Sequence, residues 1–336
     1  RRLNQGTQIR HRARRFVDAP FNEIIDTIIS DSMCGNDGAR RSRSERVMMT
    51  AVKRLISYGR YGDAMKLLDS DGVHHSSPEV IQALREKHPT GAVLAPRSHI
   101  NQLMQFTTAQ TEEAIASFPK GSTGGPFGLV EKMLKDMSAD VNLGNSLLES
   151  LARFCSFLCS GKLPRELARF YTSARLVPLM KKDGGIRPMA VGDTLRRLAC
   201  KLALKLVDRE VQSLFAPNQF GVGCRAGAET IIHSVASGLE NLEEDDCILQ
   251  IDFRNAFNLV SRERMLELVE INLPRLSNIV SYLYSSPSSL VVGIEGATID
   301  SSLGVQQGCP LAPTLFSLVL RELTTELEGI NLKLNM

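Results

Sequence analysis

Two stretches of this chain decide its fold: QIDFRNAFNLV, residues 250–260, and GVQQGCPLAP, residues 304–313. In the first, Asp252 follows the short apolar run Cys247–Ile251, which has the pattern of a buried strand. The carboxylate is therefore predicted to lie where that strand opens to solvent, and Phe257 comes five residues later. The second stretch is predicted to be a Gln-Gln-Gly turn that leads into an apolar helix.

Upstream of both stretches, the sequence predicts a β-hairpin. Strands at Ala174–Met180 and Ile186–Val191 flank the turn KKDGG, residues 181–185, and Asp-Gly between two such runs favours a tight turn. Asp193 is predicted to cap a helix that extends to Ser213. The other predicted elements in this region are helices at 142–161, 225–240, 262–272, 275–285 and 313–327 and strands at 290–294, 297–302 and 330–336.

The N-terminal third carries no comparable pattern. The stretch KGSTGGPFG, residues 120–128, is predicted to be a loop, and it lacks the Gly-Lys-Ser/Thr ending of a P-loop. Residues 46–119 are predicted to be helical, with one helix at 78–88, and residues 1–45 to be a basic flexible arm. Arginine clusters suit a nucleic-acid backbone or nuclear targeting, while a solvated arm is the simpler interpretation. The candidate nucleic-acid contacts in the arm are Arg12, Arg14, Arg15, Arg41 and Arg43.

Composition narrows the class of protein. The chain has 336 residues, a net charge of +3 and 43% hydrophobic residues, which argues against wholesale disorder. Its seven cysteines are scattered, without a Cys-x-x-Cys pair, as in a reduced intracellular protein. The most apolar predicted helix contains Glu149 and Arg153, so it is not expected to span a membrane. We therefore expect an intracellular location, in the nucleus, the cytoplasm or both.

Taken in order, four motifs resemble those of one enzyme family. They are the glycine loop, the Lys-Lys-Asp-Gly-Gly-x-Arg-Pro hairpin, Asp-Phe-x-x-Ala-Phe at 252–257 and Gln-Gly-Cys-Pro-Leu at 307–311. The series resembles the reverse transcriptases of non-LTR (LINE-type) retrotransposons, in which the last two are motifs A and B of the polymerase palm. Phe127 and Asn258 stand where relatives often have aspartate. Motif C, an aromatic-x-Asp-Asp hairpin, does not occur before Met336, so the chain is expected to be a fragment that ends before it.

The resemblance implies an α+β fold and a domain order. Residues 120–336 would form the fingers and part of the palm of a right-hand polymerase, truncated before motif C. The helical extension 46–119 and the arm 1–45 would precede them. The parent protein would be an RNA-directed DNA polymerase that adds deoxynucleotides to a DNA primer on an RNA template.

The resemblance also assigns roles to residues. Two Mg²⁺ ions would be held by Asp252, by the backbone carbonyl of Phe253 and by carboxylates of motif C. Phe257 would exclude the 2′-hydroxyl of the incoming nucleotide. The deoxynucleotide would otherwise be bound by Lys181, Lys182, Arg187, Phe253, Gln307 and Gly308. Because one carboxylate cannot hold two ions, the chain by itself is expected to be inactive.

Two alternative functions and two simpler interpretations of single residues are considered beside this one. A non-catalytic scaffold that binds RNA through a reverse-transcriptase-like domain would keep the fold without the chemistry. A viral RNA-dependent RNA polymerase is disfavoured by Phe257, because such enzymes must admit a 2′-hydroxyl. For single residues, Phe257 as a core aromatic and Lys181 and Lys182 as a solvated turn are the simpler interpretations. The sequence leaves the oligomeric state and the host element open.

Overall fold

In this computed structural model, the structure describes residues 61–68, 72–74, 76–95, 103–241, 243, 248–293 and 296–328, together with single positions between 49 and 59. The predicted arm at 1–45 and the predicted strand at 330–336 lie outside these residues. The chain divides into two compact units, one of residues 1–72 and 294–296 and one of residues 73–293 and 297–336.

The first unit contributes one labelled helix, α1, at Tyr61–Leu68. The second unit holds all the remaining elements, and it already includes residues 73–119, so this part of the predicted helical extension folds together with the segments that carry the motifs. The boundary predicted at residue 120, between the helical extension and the fingers and palm, stays a prediction.

The second unit is mainly helical. Short 3₁₀ turns at Arg165–Leu167 and Pro274–Leu276 precede the helices that begin at Ala168 and Ser277. No helix in the described part of the chain is long and apolar enough to cross a membrane. The helices are α2 Pro78–Glu86, α3 Thr108–Ala116, α4 Glu131–Ser138, α5 Gly144–Cys159, α6 Ala168–Tyr171, α7 Thr194–Leu206, α8 Asp208–Phe215, α9 Gly227–Glu240, α10 Ala256–Leu259, α11 Arg262–Asn272, α12 Ser277–Tyr284 and α13 Ala312–Glu328.

One four-stranded sheet has the order β2-β1-β3-β4. Strands β1 and β2 are antiparallel, β1 and β3 are parallel, and β3 and β4 are antiparallel. The predicted hairpin is confirmed, and the strands predicted at 290–294 and 297–302 form a second antiparallel pair, which gives the α+β class expected from the sequence. The strands are β1 Ala174–Met180, β2 Ile186–Gly192, β3 Ser288–Val292 and β4 Ala297–Ser301.

Two apolar clusters hold the second unit together. The smaller one covers the sheet: Leu84 of α2 is fully buried against Leu176 and Leu290 of neighbouring strands. The larger one lies among the helices, where α5 and α7 meet through side chains such as Leu158 and Leu198, both fully buried.

The helix predicted after Asp193 begins as expected but does not run through to Ser213. The Asp193 carboxylate accepts a hydrogen bond from the Leu195 N–H at 2.9 Å, so the predicted cap is confirmed. At Val207 the helix breaks, and α8 starts at the next residue. No glycine or proline marks this break, and the apolar pattern continues across it, so the local sequence does not reveal it.

The strand predicted at Cys247–Ile251 is wrong for the residues that can be described. Residues 248–253 form no strand and pair with none of the four strands. Ile248, Leu249 and Ile251 are each more than half exposed. A strand is stable only when its backbone groups pair with a neighbour, and the sheet in the described residues is built from the two hairpins instead.

His88 gives the fold an expected pH dependence. It is 9% exposed, its Nδ1 donates to the Leu84 carbonyl oxygen at 2.7 Å, and burial is the main cause of its lowered pKa. The unfolded chain therefore binds the proton at a higher pH than the folded chain. The free energy of unfolding should thus fall as the pH drops below about 6.5.

The variant His88→Gln keeps a donor for Leu84 and should lose this part of the pH dependence. Urea midpoints measured between about pH 7.5 and pH 5.5 for both proteins check the expectation. Parallel pH profiles for the variant and the unsubstituted chain would show that His88 does not titrate between the folded and unfolded states.

Candidate active site

The short helix α10 is held in place by two asparagines. Asn255 has a left-handed backbone (φ 54°), and its Nδ2 donates to the Lys87 carbonyl oxygen at 2.9 Å. Asn258 is 3% exposed, and its Nδ2 donates to Asn255 Oδ1 at 2.9 Å. Asn258, which departs from the family pattern, is therefore a buried residue that fixes the helix.

Residues 304–309, here called the motif B segment, connect α10 to the sheet. The Val305 N–H donates to the Phe257 carbonyl oxygen at 2.7 Å, and the Gly304 N–H donates to the Val260 carbonyl oxygen at 2.9 Å. On its other side, the Gln307 carbonyl oxygen accepts from the Ala190 N–H of β2 at 2.7 Å. Three segments that are far apart in sequence thus meet in one place.

Two buried arginines support the motif B segment, one at its start and one in its middle. Arg262, at the start of α11, is 3% exposed and donates through Nε to the Gly304 carbonyl oxygen at 2.8 Å. It also donates to Ser301 Oγ at 3.0 Å, and its guanidinium lies 5.3 Å from the centre of the Tyr284 ring. Burial lowers the pKa of Arg262 to about 10. Its hydrogen bonds nevertheless favour the charged form.

The second arginine holds the middle of the segment. Arg196 of α7 is 2% exposed; it donates to the Thr172 carbonyl oxygen and to Gln306 Oε1, both at 2.7 Å. Gln306 is itself buried and donates to Thr172 and to Ser288 Oγ. The network joins α7, the start of β3 and the motif B segment.

Sequence reasoning did not single out Arg196, Arg262 or Gln306. A periodicity argument could have found the arginines, because Arg196 precedes the buried Ala199 and Ala203 by three and seven residues. An arginine in the apolar stripe of a helix is expected to have a specific hydrogen-bonding role.

Phe257 is half-buried and stacks on Phe316 of α13, with ring centres 5.0 Å apart and an interplanar angle of 19°. It also packs against the helical core cluster. The ring therefore has a structural partner, and its function as a sugar gate stays a prediction.

Gln307 and Gly308 face the sheet. Gln307 Oε1 is buried and accepts no hydrogen bond from the described residues. Gly308 has a φ of 115°, and a Cβ there would lie 2.5 Å from the Ala190 carbonyl oxygen. Packing against β2 alone therefore requires glycine at this position.

The hairpin residues are exposed. Arg187 lies on β2 on the same face as Met189, because alternate residues of a strand share a face. Met189 Sδ lies 3.3 Å from the position of a Cβ at Gly308, so Arg187 shares a face with a residue that contacts the motif B segment. Lys181 and Lys182 are exposed in the turn, where the Gly184 N–H donates to the Lys181 carbonyl oxygen at 2.9 Å.

Asp252 and Phe253 are both exposed, on the segment that forms no strand. A carboxylate is a suitable Mg²⁺ ligand, and that of Asp252 has no hydrogen-bond or ion-pair partner among the described residues. However, the described residues contain no group of three His, Cys, Asp or Glu side chains that could hold a metal ion. By themselves they do not fit a site for two ions. Arg12, Arg14, Arg15, Arg41 and Arg43 lie outside the residues that can be described.

This chain is similar to a family of polymerases and to proteins of retrotransposable elements. Residues 179–335 match the family model described as reverse transcriptase (RNA-dependent DNA polymerase). Over 216 residues the chain is 24% identical to the retrotransposable element SLACS 132 kDa protein of Trypanosoma brucei gambiense, covering 63% of this chain and 18% of that protein. Over 191 residues it is 27% identical to a retrovirus-related Pol polyprotein from the type-1 retrotransposable element R2 of Popillia japonica, covering 50% of this chain and 27% of that protein. The chain thus spans less than a third of the length of these curated relatives.

Proposed function

Because residues 179–335 match the reverse transcriptase family and both relatives are proteins of retrotransposable elements, we propose that the parent protein of this chain synthesises DNA on an RNA template. It would extend the 3′-hydroxyl of a DNA primer with deoxynucleoside triphosphates. Primer extension by the parent protein on a primed RNA template tests this function directly. Residues 1–336 alone should bind nucleic acid without extending a primer.

The observation that carries the proposal is the double attachment of the motif B segment. Its backbone is hydrogen-bonded to Phe257 on one side and to Ala190 of β2 on the other. A nucleotide site needs groups for the sugar, the phosphates and the base at fixed separations. The attachment places a residue predicted for the sugar, Phe257, next to the residues predicted for the nucleotide, Gln307 and Gly308.

We assign roles to this chain's residues accordingly. Arg187 neutralises phosphate charge, since its planar guanidinium can bind two phosphate oxygens. Gln307 offers a buried acceptor, Oε1, to the nucleotide or template base. Asp252 contributes one carboxylate to a divalent metal ion, and any further ligands would come from outside the described residues.

The sugar-gate hypothesis predicts a change of selectivity. In the parent protein, Phe257→Val should raise the ratio of ribonucleotide to deoxynucleotide kcat/KM by about tenfold or more, because the side chain that fills the space of a 2′-hydroxyl becomes smaller. Single-nucleotide incorporation measured with each sugar gives the ratio.

The stacking partner supplies the matched control. Phe316→Leu removes the ring against which Phe257 packs but leaves the gate itself, so it should lower stability while the selectivity ratio stays within about twofold. An equal change of selectivity in both variants would mean that Phe257 acts through packing and that it is not a gate.

A second function is supported by one specific observation. The described residues contain a single exposed carboxylate in motif A and no metal-binding cluster, as expected for a scaffold that binds RNA without catalysis. If the folded parent protein binds a primed template in the presence of divalent ions but never extends the primer, the scaffold is the better description.

A further inference from the structure

A cleft between α3 and α7 lies outside the candidate active site. Its volume is about 400 Å³. It is lined by Glu113, Ala114, Ser117, Lys201, Leu204, Lys205 and Pro310. We call it the α3–α7 cleft. None of the roles assigned above uses any of these side chains.

The α7 side of the cleft is basic. This helix carries four cationic side chains and no acidic one. Arg197, Lys201 and Lys205 recur every four residues, so they follow one face of the helix in steps of about 6 Å. Lys205 forms an ion pair with Glu113, and Lys201 Nζ donates to Ser117 Oγ at 3.1 Å.

Three cations converge around Phe118, and one of them, Lys201, lines the cleft. The Lys201 Nζ and the Arg197 guanidinium lie 5.1 and 5.6 Å from the centre of its ring. Lys135 Nζ donates to the Phe118 carbonyl oxygen at 2.7 Å. Burial, and after it the charges of Arg197 and Lys135, lower the pKa of Lys201.

Acidic groups compensate this charge only in part. Asp193 and Glu131 act on Arg197, whose pKa is nevertheless lowered by burial, and Glu113 is paired with Lys205. An anion bound in the cleft beside Lys201 would therefore relieve the repulsion among the three cations.

Stabilisation of the helix end explains part of this arrangement. Phe118 follows the C-terminus of α3, where cations are favourable because the last carbonyl groups carry partial negative charge. That explains Lys135, which donates to the Phe118 carbonyl oxygen just beyond the helix end. It does not require the row of cations along α7 or an open cleft beside it.

The cleft is also close to the motif B segment. Pro310 lines it and is two residues beyond Gly308, so their Cα atoms are at most about 7.6 Å apart. A nucleic-acid strand that passes Gly308 could place a neighbouring phosphate at the cleft.

We propose that the α3–α7 cleft binds a backbone phosphate of a nucleic-acid strand through Lys201 and Lys205. The proposal rests on the proposed function, because the strand would be the template or primer of DNA synthesis. The row of cations and the adjacent motif B segment favour a phosphodiester chain over a free phosphate ion.

The test uses the full chain and a fluorescently labelled single-stranded RNA. The double variant Lys201→Gln/Lys205→Gln should weaken binding about tenfold at low salt and reduce the slope of log K against log salt by about one to two, since each lost phosphate contact removes about one unit. Arg153→Gln, which removes an exposed cation from α5, should change the slope by less than half as much. Urea midpoints confirm that each variant is folded.

Removing a negative charge from the cleft tests the proposal in the opposite direction. Glu113→Gln should strengthen RNA binding about twofold to threefold, because it releases Lys205 from its ion pair. The neighbouring exposed carboxylate supplies the control, since Glu112→Gln removes the same charge without releasing Lys205. A cluster that only stabilises the end of α3 would give no difference between these two variants.

Three outcomes would overturn the proposal. The first is a double variant that is folded and binds RNA with the affinity and salt slope of the unsubstituted chain; the proposed function would survive this result. The second concerns chemical acylation of Lys201. If added inorganic phosphate protects Lys201 from the reagent but added RNA does not, the ligand is a small anion. The third, no RNA binding at all by the folded chain at low salt, would count against the proposed function as well.

Discussion

Replacing Asp252 with asparagine in the parent protein is expected to reduce primer extension about a thousandfold or more. The charge stabilisation that a bound metal ion supplies is worth several kcal/mol, and each 1.4 kcal/mol changes the rate about tenfold. Both ribonucleotide and deoxynucleotide incorporation should be lost, in contrast to the selective effect expected at Phe257. Single-turnover incorporation on a primed RNA template measures the loss.

Because Asp252 is exposed, its substitution should affect activity without affecting stability. Its side chain is exposed and has no hydrogen-bond or ion-pair partner among the described residues, so the urea midpoint should change little. Asp300→Asn, which removes an exposed carboxylate from β4, is the matched control and should leave incorporation within about twofold. If the two variants lose activity equally, Asp252 is not a metal ligand.

The largest expected effect on stability is at Gly304. Its φ is 67°, and a Cβ there would lie 2.3 Å from the Asn258 carbonyl carbon and 2.4 Å from the Phe257 carbonyl oxygen. These atoms belong to the backbone of α10, so no side-chain rotation can relieve the clash. Gly304→Ala should therefore lower the free energy of unfolding by about 3 kcal/mol or more, from the clash and the strained backbone together.

Gly184 separates the two causes. Its φ is 75°, but a Cβ would meet nothing within 4 Å. Gly184→Ala should therefore cost about 1 kcal/mol, from backbone strain alone. Urea unfolding followed by circular dichroism gives both values. Similar midpoints for the two variants would show that motif A and the motif B segment do not pack as closely as the structure shows.

Several features of the fold are determined by the sequence itself. The strands flanking Asp183-Gly184 begin and end within one residue of the prediction, and Asp193 caps α7 as expected. The helix α11 occupies the predicted residues 262–272. These features arise from turn chemistry, capping and periodicity, which act between residues a few positions apart.

The family motifs are a second product of the sequence. The order of the hairpin, motif A and motif B indicated a reverse transcriptase of the non-LTR class, in agreement with the family match over residues 179–335 and with the two retrotransposon relatives. The roles of Arg187, Phe257 and Gln307 stay predictions, because a motif identifies the residues of a site and does not measure what they bind.

Only the tertiary structure decided how the motifs meet. The bonds from Gly304 and Val305 to α10, and from Ala190 to Gln307, join residues that are 44 to 117 positions apart. Arg196 and Arg262 also bind residues distant in sequence, 24 to 110 positions away. Their partners are backbone carbonyl groups and polar side chains. Any residue can supply a carbonyl oxygen, so a hydrogen bond of this kind leaves no trace in the partner's sequence.

The segment before Asp252 shows that a local sequence pattern alone does not determine whether a strand forms. Its apolar residues favour a strand locally, yet residues 248–253 have no strand beside them among the described residues. Sequence determines which segments are able to form a strand. Whether one forms depends on a neighbouring strand to pair its backbone groups, and that neighbour is supplied by tertiary structure.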